Sequence, residues 1–272
     1  MISVDRFGWS QLGNQLFQWA MLRAVSIRRG YEVRLPMTPD LPKCQGKNEL
    51  TRFQVHYGHL HDVDRPKLHR KYTERSSAYD PNVFEQPDWT LFDGFFQSEK
   101  YFADIAAQVR REVRFVPTIE AAADHYIARL RKEYPRHSVV ALHVRRGDYL
   151  AKWSIGRFRV LPSAYFHAGA EFLPPGDRVY LVFSDDLPWC RRKLRRRGWK
   201  IEYCETESHW HDLAVLSRCD HFIISPSSFS WWGAWLASNP RKVVVTPRPW
   251  FGPKLSLDSR DIVPQEWIQL AC

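Results

Sequence analysis

The sequence predicts an α/β protein built on a parallel, doubly wound sheet, and three observations carry that prediction. Between Ser138 and Trp250, five short apolar runs each stop at a polar tip, with a helical stretch in each gap before the next run. At the N-terminus an apolar run, a turn, an amphipathic helix and a second apolar run follow in that order. The chain has 272 residues, 44% hydrophobic and 26% charged. That is enough for one large domain or two of about 100–150 residues each.

The first half opens with Ile2 to Phe7 as a strand. A turn through Gly8-Trp9-Ser10-Gln11-Leu12-Gly13 leads into a helix from about Asn14 to Arg29. Leu16, Phe17, Ala20, Met21, Ala24 and Ile27 recur at spacings of three and four and give that helix one apolar face. Gly30 ends it, and Tyr31 to Leu35 restarts as a strand. Residues 36–90 mix Pro, His and charge without a period. Within them His56, His59, His61, Asp62 and Asp64 could be drawn as a metal cluster, and Asp62-Val63-Asp64 resembles the D-x-D of metal-dependent sugar transferases. Neither follows a clear strand, so both read as surface loop. From Leu91 an aromatic segment turns at Asp93-Gly94 and runs to Ser98, the expected N-cap of a helix over Tyr101–Val113. A further helix covers about Ile119–Tyr134. Pro135-Arg136-His137 then marks the expected boundary between two halves, 1–135 and 136–272.

The second half repeats one theme. Val139–Val144 ends at Arg145-Arg146, Val179–Phe183 at Ser184-Asp185-Asp186, and Ile201–Cys204 at Glu205-Thr206-Glu207. Phe222–Ile224 ends at Ser225-Pro226-Ser227-Ser228, and Val243–Val245 at Thr246-Pro247. Helices are expected over Ser163–Phe172, Leu187–Arg197, Trp210–Arg218 and Phe229–Ala237. Parallel strands joined this way bring their polar tips to one edge, where open α/β sheets bind ligands.

Two arginines at such a tip suit a diphosphate, because guanidinium is always charged and binds phosphate oxygens in a fork. Ser227, Ser228 and Ser230 around Phe229 begin a helix. They serve either as plain caps or, through the free N–H groups of the first turn, as a phosphate site. Ser184, Asp185 and Asp186 precede Leu187-Pro188. They too read either as a cap or as carboxylates taking nucleotide hydroxyl or base N–H groups. Most of the 12 Trp are expected in the core, including Trp231, Trp232 and Trp235 at helical spacing.

The formal charge is +10, which favours nucleic acid, an anionic membrane or a phosphorylated small molecule as partner. No aromatic residues interleave with the basic run Arg191–Arg197 and no nucleic-acid motif stands, so nucleic acid is not expected. That run reads as a solvated helix face, or more sharply as a contact with anionic lipid. The five Cys show no C-x-x-C or zinc spacing and read as reduced thiols. With neither a signal-like N-terminus nor an apolar stretch near the roughly 20 residues of a membrane span, the chain is expected in the cytoplasm, peripheral at the inner face of the plasma membrane.

Several blocks stand in a telling order: L-G-N-Q-L-F-Q (Leu12–Gln18), G-F-F-Q-S-E-K-Y-F (Gly94–Phe102), H-V-R-R-G-D-Y (His143–Tyr149) and F-S-D-D (Phe183–Asp186). D-H-F-I-I-S-P-S-S-F-S-W-W-G-A-W-L (Asp220–Leu236) and N-P-R-K-V-V-V-T-P-R-P-W-F (Asn239–Phe251) follow. This resembles the α-1,2-fucosyltransferases of glycosyltransferase family eleven. The resemblance implies two facing Rossmann-like domains of GT-B type with an interdomain cleft, the first on the acceptor side and the second holding GDP-fucose. It implies inverting transfer of L-fucose from GDP-fucose to a hydroxyl of a galactose-containing acceptor glycan, without a metal or other cofactor. Arg145 would neutralise the departing diphosphate and Arg146 would assist or brace the loop. Ser227 to Ser230 would contact phosphates or guanosine, and Asp185 or Asp186 the nucleotide. His143 would bond the donor or be structural. Inversion also needs a base on the acceptor hydroxyl. Asp148 is the nearest carboxylate, equally explained as a salt-bridge partner of the arginines, and Asp5 is a second candidate.

Two departures from the family pattern stand out. Its glycine pair in the first turn, G-G-L-G-N, is here reduced to Gly13 after Trp9-Ser10-Gln11-Leu12. Its S-N-S-[ST] is here Ser225-Pro226-Ser227-Ser228, and Pro226 removes a backbone N–H and a side-chain amide. A transferase using another nucleotide sugar, and a non-catalytic sugar- or nucleotide-binding relative, are the competing readings.

Overall fold

The structure is a computed structural model and describes residues 1–5, 7, 11–37, 47–255 and 257–272. The chain forms two compact units: Met1–Val116 with Asp258–Pro264, and Pro117–Leu257 with Gln265–Cys272.

In the first unit β1 (Ser3–Val4) is followed by α1 (Leu12–Arg29), β2 (Arg34–Leu35), β3 (Gly58–His59), β4 (Arg70–Thr73), β5 (Thr90–Asp93) and α2 (Ala106–Glu112). β1, β5 and β4 make a parallel sheet in that spatial order, and β2 pairs with β3, also parallel. The first strand is shorter than its apolar run, although the Asp5 N–H still donates to the Phe92 carbonyl at 2.8 Å. α1 buries Leu16, Phe17, Ala20, Met21 and Ala24 as its period requires, and Gly30 closes it at φ 73°. Ile27 departs from the stripe and is 41% exposed.

Residues 47–90 hold more order than their sequence predicts, because β3 and β4 are short strands whose residues are exposed or half-buried. Such strands show no apolar alternation to read. Ser98 is an N-cap, its side chain accepting the Lys100 N–H, but it caps a 3-10 turn over Glu99–Tyr101. Phe102, at φ −135°, interrupts the chain there, so the expected helix over Tyr101–Val113 becomes α2 alone.

The second unit contains α3 (Pro117–Glu133), β6 (Ser138–Val144), α4 (Ser163–Gly169), β7 (Arg178–Ser184), α5 (Leu187–Lys193), β8 (Lys200–Tyr203), α6 (His209–Leu216), β9 (His221–Ile224), α7 (Ser228–Leu236), β10 (Val244–Arg248) and β11 (Ile268–Ala271). The two units divide at Val116/Pro117, earlier than the boundary expected at Pro135–His137. The reason lies in α3: it packs on α6, and Arg218 ion-pairs with its Glu120 and Asp124. The helix therefore goes with the second sheet.

That sheet is wholly parallel, in the order β11-β10-β9-β6-β7-β8. Read from β8, this is the 3-2-1-4-5-6 winding of a dinucleotide-binding fold, with the order reversing between β6 and β9. β6 is buried from Val139 to Val144, as a central parallel strand should be. Val140, Leu142, Val182, Ile223 and Val245 build one core with Phe166 and Leu173. Trp231, Trp232 and Trp235 of α7 are fully or almost fully buried. Gly233 on the same helix meets α6 so closely that a Cβ there would lie 1.9 Å from Leu216 Cδ2. β11 was not legible because it is four edge residues of alternating half-burial and exposure, too short to carry a period.

Candidate functional site

The switch point of the second sheet joins the two most distinctive blocks of the sequence. Residue pairing sets His143 of β6 beside Phe183 of β7 and Ile224 of β9. The loops beginning at Arg145, Asp185 and Ser225 therefore leave the same edge side by side. Ligands of open α/β sheets bind in the crevice at such a reversal.

A short hydrogen-bond chain locks the first loop to the third. Ser225 Oγ donates to the His143 carbonyl at 2.8 Å and accepts the Arg145 N–H at 3.1 Å. The Tyr149 hydroxyl donates to the Pro226 carbonyl at 2.9 Å, and its ring stacks on Phe158 at 4.7 Å. Pro226, a departure from the family pattern, thus keeps one structural contact through the atom proline retains. The second loop is tied in by carboxylates. The Arg146 N–H donates to Asp185 at 2.9 Å, and Gly147 lies so near that a Cβ would stand 2.7 Å from Asp185 Oδ2.

Both guanidinium groups are held. Arg145 ion-pairs with Asp148 at 2.7 Å and Asp185 at 3.0 Å, with its centre 5.5 Å from the Tyr149 ring. Arg146 ion-pairs with Asp186 at 3.0 Å and lies 4.2 Å over the Trp189 ring. Asp186 also caps α5 by accepting the Trp189 N–H at 3.0 Å, and that bond together with Arg146 holds its carboxyl below the usual range. Ser184 Oγ donates to the Val144 carbonyl and accepts the Asp186 N–H. The capping reading of Ser184-Asp185-Asp186 is therefore realised, and the same carboxylates aim the arginines.

α7 differs from α5 in one respect. Ser227 stands at its N-cap with extended backbone, yet its side chain makes no cap hydrogen bond. The first turn holds no acidic residue either. Ser230 Oγ turns back to the Ser225 and Ser227 carbonyls. Among the described residues Ser227 therefore does not act as a plain side-chain cap, and an uncapped helix start of this kind has the geometry that suits an anion. Phe229 packs against His143, ring centroids 5.6 Å apart.

His143 is 5% exposed, and its Nδ1 has no hydrogen-bond partner among the described residues. Burial, and secondly Arg145, push its pKa down to about 3. The imidazole is neutral across the physiological range and supports the crevice floor.

The structure therefore brings His143, Arg145, Arg146, Asp148, Ser184, Asp185, Asp186, Ser227, Ser228, Phe229 and Ser230 to one edge. Gly147, Tyr149, Trp189 and Ser225 join them. Gly147, Tyr149 and Ser225 lie in the blocks that carry the family resemblance, whereas for Trp189 the only sequence signal was its place beside a charged tip. Asp5 sits in the first unit, ion-paired to Lys71 at 2.6 Å. In the segment drawn as a metal cluster, Asp62 pairs with Arg65, and Asp64 with Arg34 and Lys67. Among the described residues no group of three or more His, Cys, Asp or Glu side chains is placed to hold a metal ion. Trp9 and Ser10 of the altered first turn, and Cys44, lie outside the described residues.

Comparison with known proteins matches residues 10–271 to the model of glycosyl transferase family 11. An α-1,2-colitosyltransferase of Escherichia coli is 30% identical over 95% of this chain and 96% of its own length. A galactoside α-(1,2)-fucosyltransferase 1 of Alouatta belzebul is 30% identical over 53% of this chain and 42% of its own. Among solved structures, a NodZ α-1,6-fucosyltransferase co-crystallised with GDP aligns at a TM-score of 0.50 and 13% identity, covering 90% of this chain and 94% of NodZ. POFUT1 in complex with GDP aligns at 0.50 and 13%, covering 89% and 98%. The two structures share the fold.

Proposed function

Because the chain belongs to glycosyl transferase family 11, we propose that its second unit holds GDP-fucose at the β6–β9 switch point. From there it transfers L-fucose, with inversion and in α-1,2 linkage, to a galactoside hydroxyl of a surface glycan. The observation that carries this reading is the meeting of Arg145 and Arg146 with the uncapped start of α7 at that one point. As the sugar–phosphate bond breaks, negative charge grows on the departing diphosphate. Fixed donors that need no reorganisation lower that barrier most. Arg145 is the residue assigned to the diphosphate, with the first-turn amides of α7, Ser227 and Ser228 beside it. No metal is required in this scheme.

Asp148 and Asp185 grip Arg145 from two sides, so both are assigned the task of aiming its fork. Asp148 is accordingly a positioning residue and not the base that takes the acceptor proton. Asp186 does the same for Arg146. The two facing domains with a cleft, implied by the family, belong to this proposal: the first unit would bring the acceptor to the edge that holds the donor.

A second reading changes only the sugar. The relative matched end to end carries the name of an α-1,2-colitosyltransferase, so the donor could bear colitose in place of fucose with the same machinery. Thermal unfolding with GDP-fucose, GDP-mannose and UDP-galactose, followed by transfer assays on a panel of galactosides, tests the proposal. Stabilisation by the guanosine nucleotides and a fucosylated product support it. Stabilisation by none of them overturns it. Binding of GDP-fucose without transfer to any galactoside would favour the second reading.

A further inference from the structure

The strands that end at the donor edge begin at another cavity. A cavity of about 510 Å³ opens at the amino ends of β6 and β9, lined by Arg136, His137, His221 and Arg241 among others. β6 runs seven residues from here to the Arg145 loop. At about 3.3 Å per residue, roughly 20 Å of sheet separates the two.

The cavity is cationic in a specific way. Arg131, also in its wall, is neutralised by Asp220 at 2.9 Å, and the second oxygen of Asp220 accepts the Val139 N–H. Arg136 and Arg241 are exposed, and neither has an ion-pair partner among the described residues. His221 is 7% exposed. Its Nδ1 accepts the Val243 N–H at 3.1 Å, which fixes the proton of the neutral ring on Nε2. That N–H donor has no protein acceptor among the described residues. His137 adds a second imidazole whose buried Nδ1 lacks a hydrogen-bond partner among the described residues.

Two unpaired guanidinium forks around a buried imidazole N–H form a donor set for tetrahedral oxyanions. The volume exceeds that of one phosphate group, leaving room for what a phosphate is attached to. We propose that this cavity is a second anion site, binding a phosphate ester through Arg136, Arg241 and His221, independently of the donor site. A phosphorylated metabolite and the headgroup of an anionic phospholipid present the same chemistry.

The test uses the full chain as wild type, as Arg145→Ala and as the double variant Arg136→Ala/Arg241→Ala. In one arm, inorganic phosphate is titrated at constant ionic strength and the melting temperature is followed. In the other, sedimentation is measured with phosphatidylcholine vesicles carrying 20 mol% phosphatidic acid (roughly, a few charges per protein footprint) against phosphatidylcholine alone. Both altered arginines are exposed, so circular dichroism of the double variant should match wild type. The proposal predicts a response in at least one arm that Arg145→Ala retains and the double variant weakens about tenfold or more. A phosphate response points to a soluble ester, and a vesicle response alone to a headgroup. No response in either arm, or one the double variant keeps intact, overturns the proposal.

Discussion

Arg145 is held from several sides at once, by ion pairs to Asp148 and Asp185, the Tyr149 ring and a backbone bond to Ser225. A guanidinium held this way cannot follow a misplaced ligand, which is what preorganisation requires. Arg145→Ala is expected to cut kcat by about 10²–10³-fold while the melting temperature stays near that of wild type, since its partners are part-exposed. Asp148→Asn separates two roles. If Asp148 aims Arg145, kcat/KM for the nucleotide sugar falls about tenfold and the shape of the pH–rate profile is unchanged. If Asp148 were the base, the acidic limb of that profile would disappear. His143, neutral at pH values above about 3, adds no titration of its own. A donor-affinity profile from pH 5 to 8 should therefore lack a histidine step.

At the scale of elements, α7 connects packing to chemistry. Its indoles are buried against the second unit's core while its first turn stays open at the crevice. The helix sits this close to α6 only because position 233 has no side chain. Gly233→Ala places a methyl group inside Leu216 and should cost about 1–3 kcal/mol in urea unfolding. Donor affinity should weaken with it as the first turn shifts. Elements like this were legible in the sequence because parallel strands buried on both faces read as unbroken apolar runs. Val139–Val144 is the clearest, and the polar residue that ends each run marks the tip. β3, β4 and β11 were not legible, because two to four part-exposed residues carry no period. The helix expected at Tyr101 failed for a different reason: Ser98 gave a sound cap signal, but a single extended-φ residue, Phe102, stopped the turn from propagating. The serines of α7 were ambiguous in sequence because capping and anion binding use the same residue types. The structure adds only that Ser227 makes no side-chain cap bond.

At the scale of the whole molecule, each unit brings one sequence-distant feature into play. In the first, Glu74 follows β4 and accepts the Phe95 and Phe96 N–H groups at 2.7 and 3.0 Å. Burial nevertheless raises its pKa from 4.5 to about 7. The folded chain then keeps a proton that the unfolded chain releases between those values, so stability falls as pH rises through the window. The loss should be on the order of 2 kcal/mol from pH 5 to pH 8, discounted for partial exposure. In Glu74→Gln that slope should flatten, as followed by urea midpoints across the range. In the second unit, a 3-2-1-4-5-6 sheet places its reversal beneath Arg145 and Ser225, a position no single motif reveals. The central claim is that this reversal holds the diphosphate of a guanosine nucleotide sugar. Calorimetric titration of GDP-fucose into wild type and Arg145→Ala tests it most directly. Saturable binding by wild type, weakened about tenfold or more in the variant with the fold intact, is the predicted result. Equal affinity in the two proteins, or no binding by either, would contradict it.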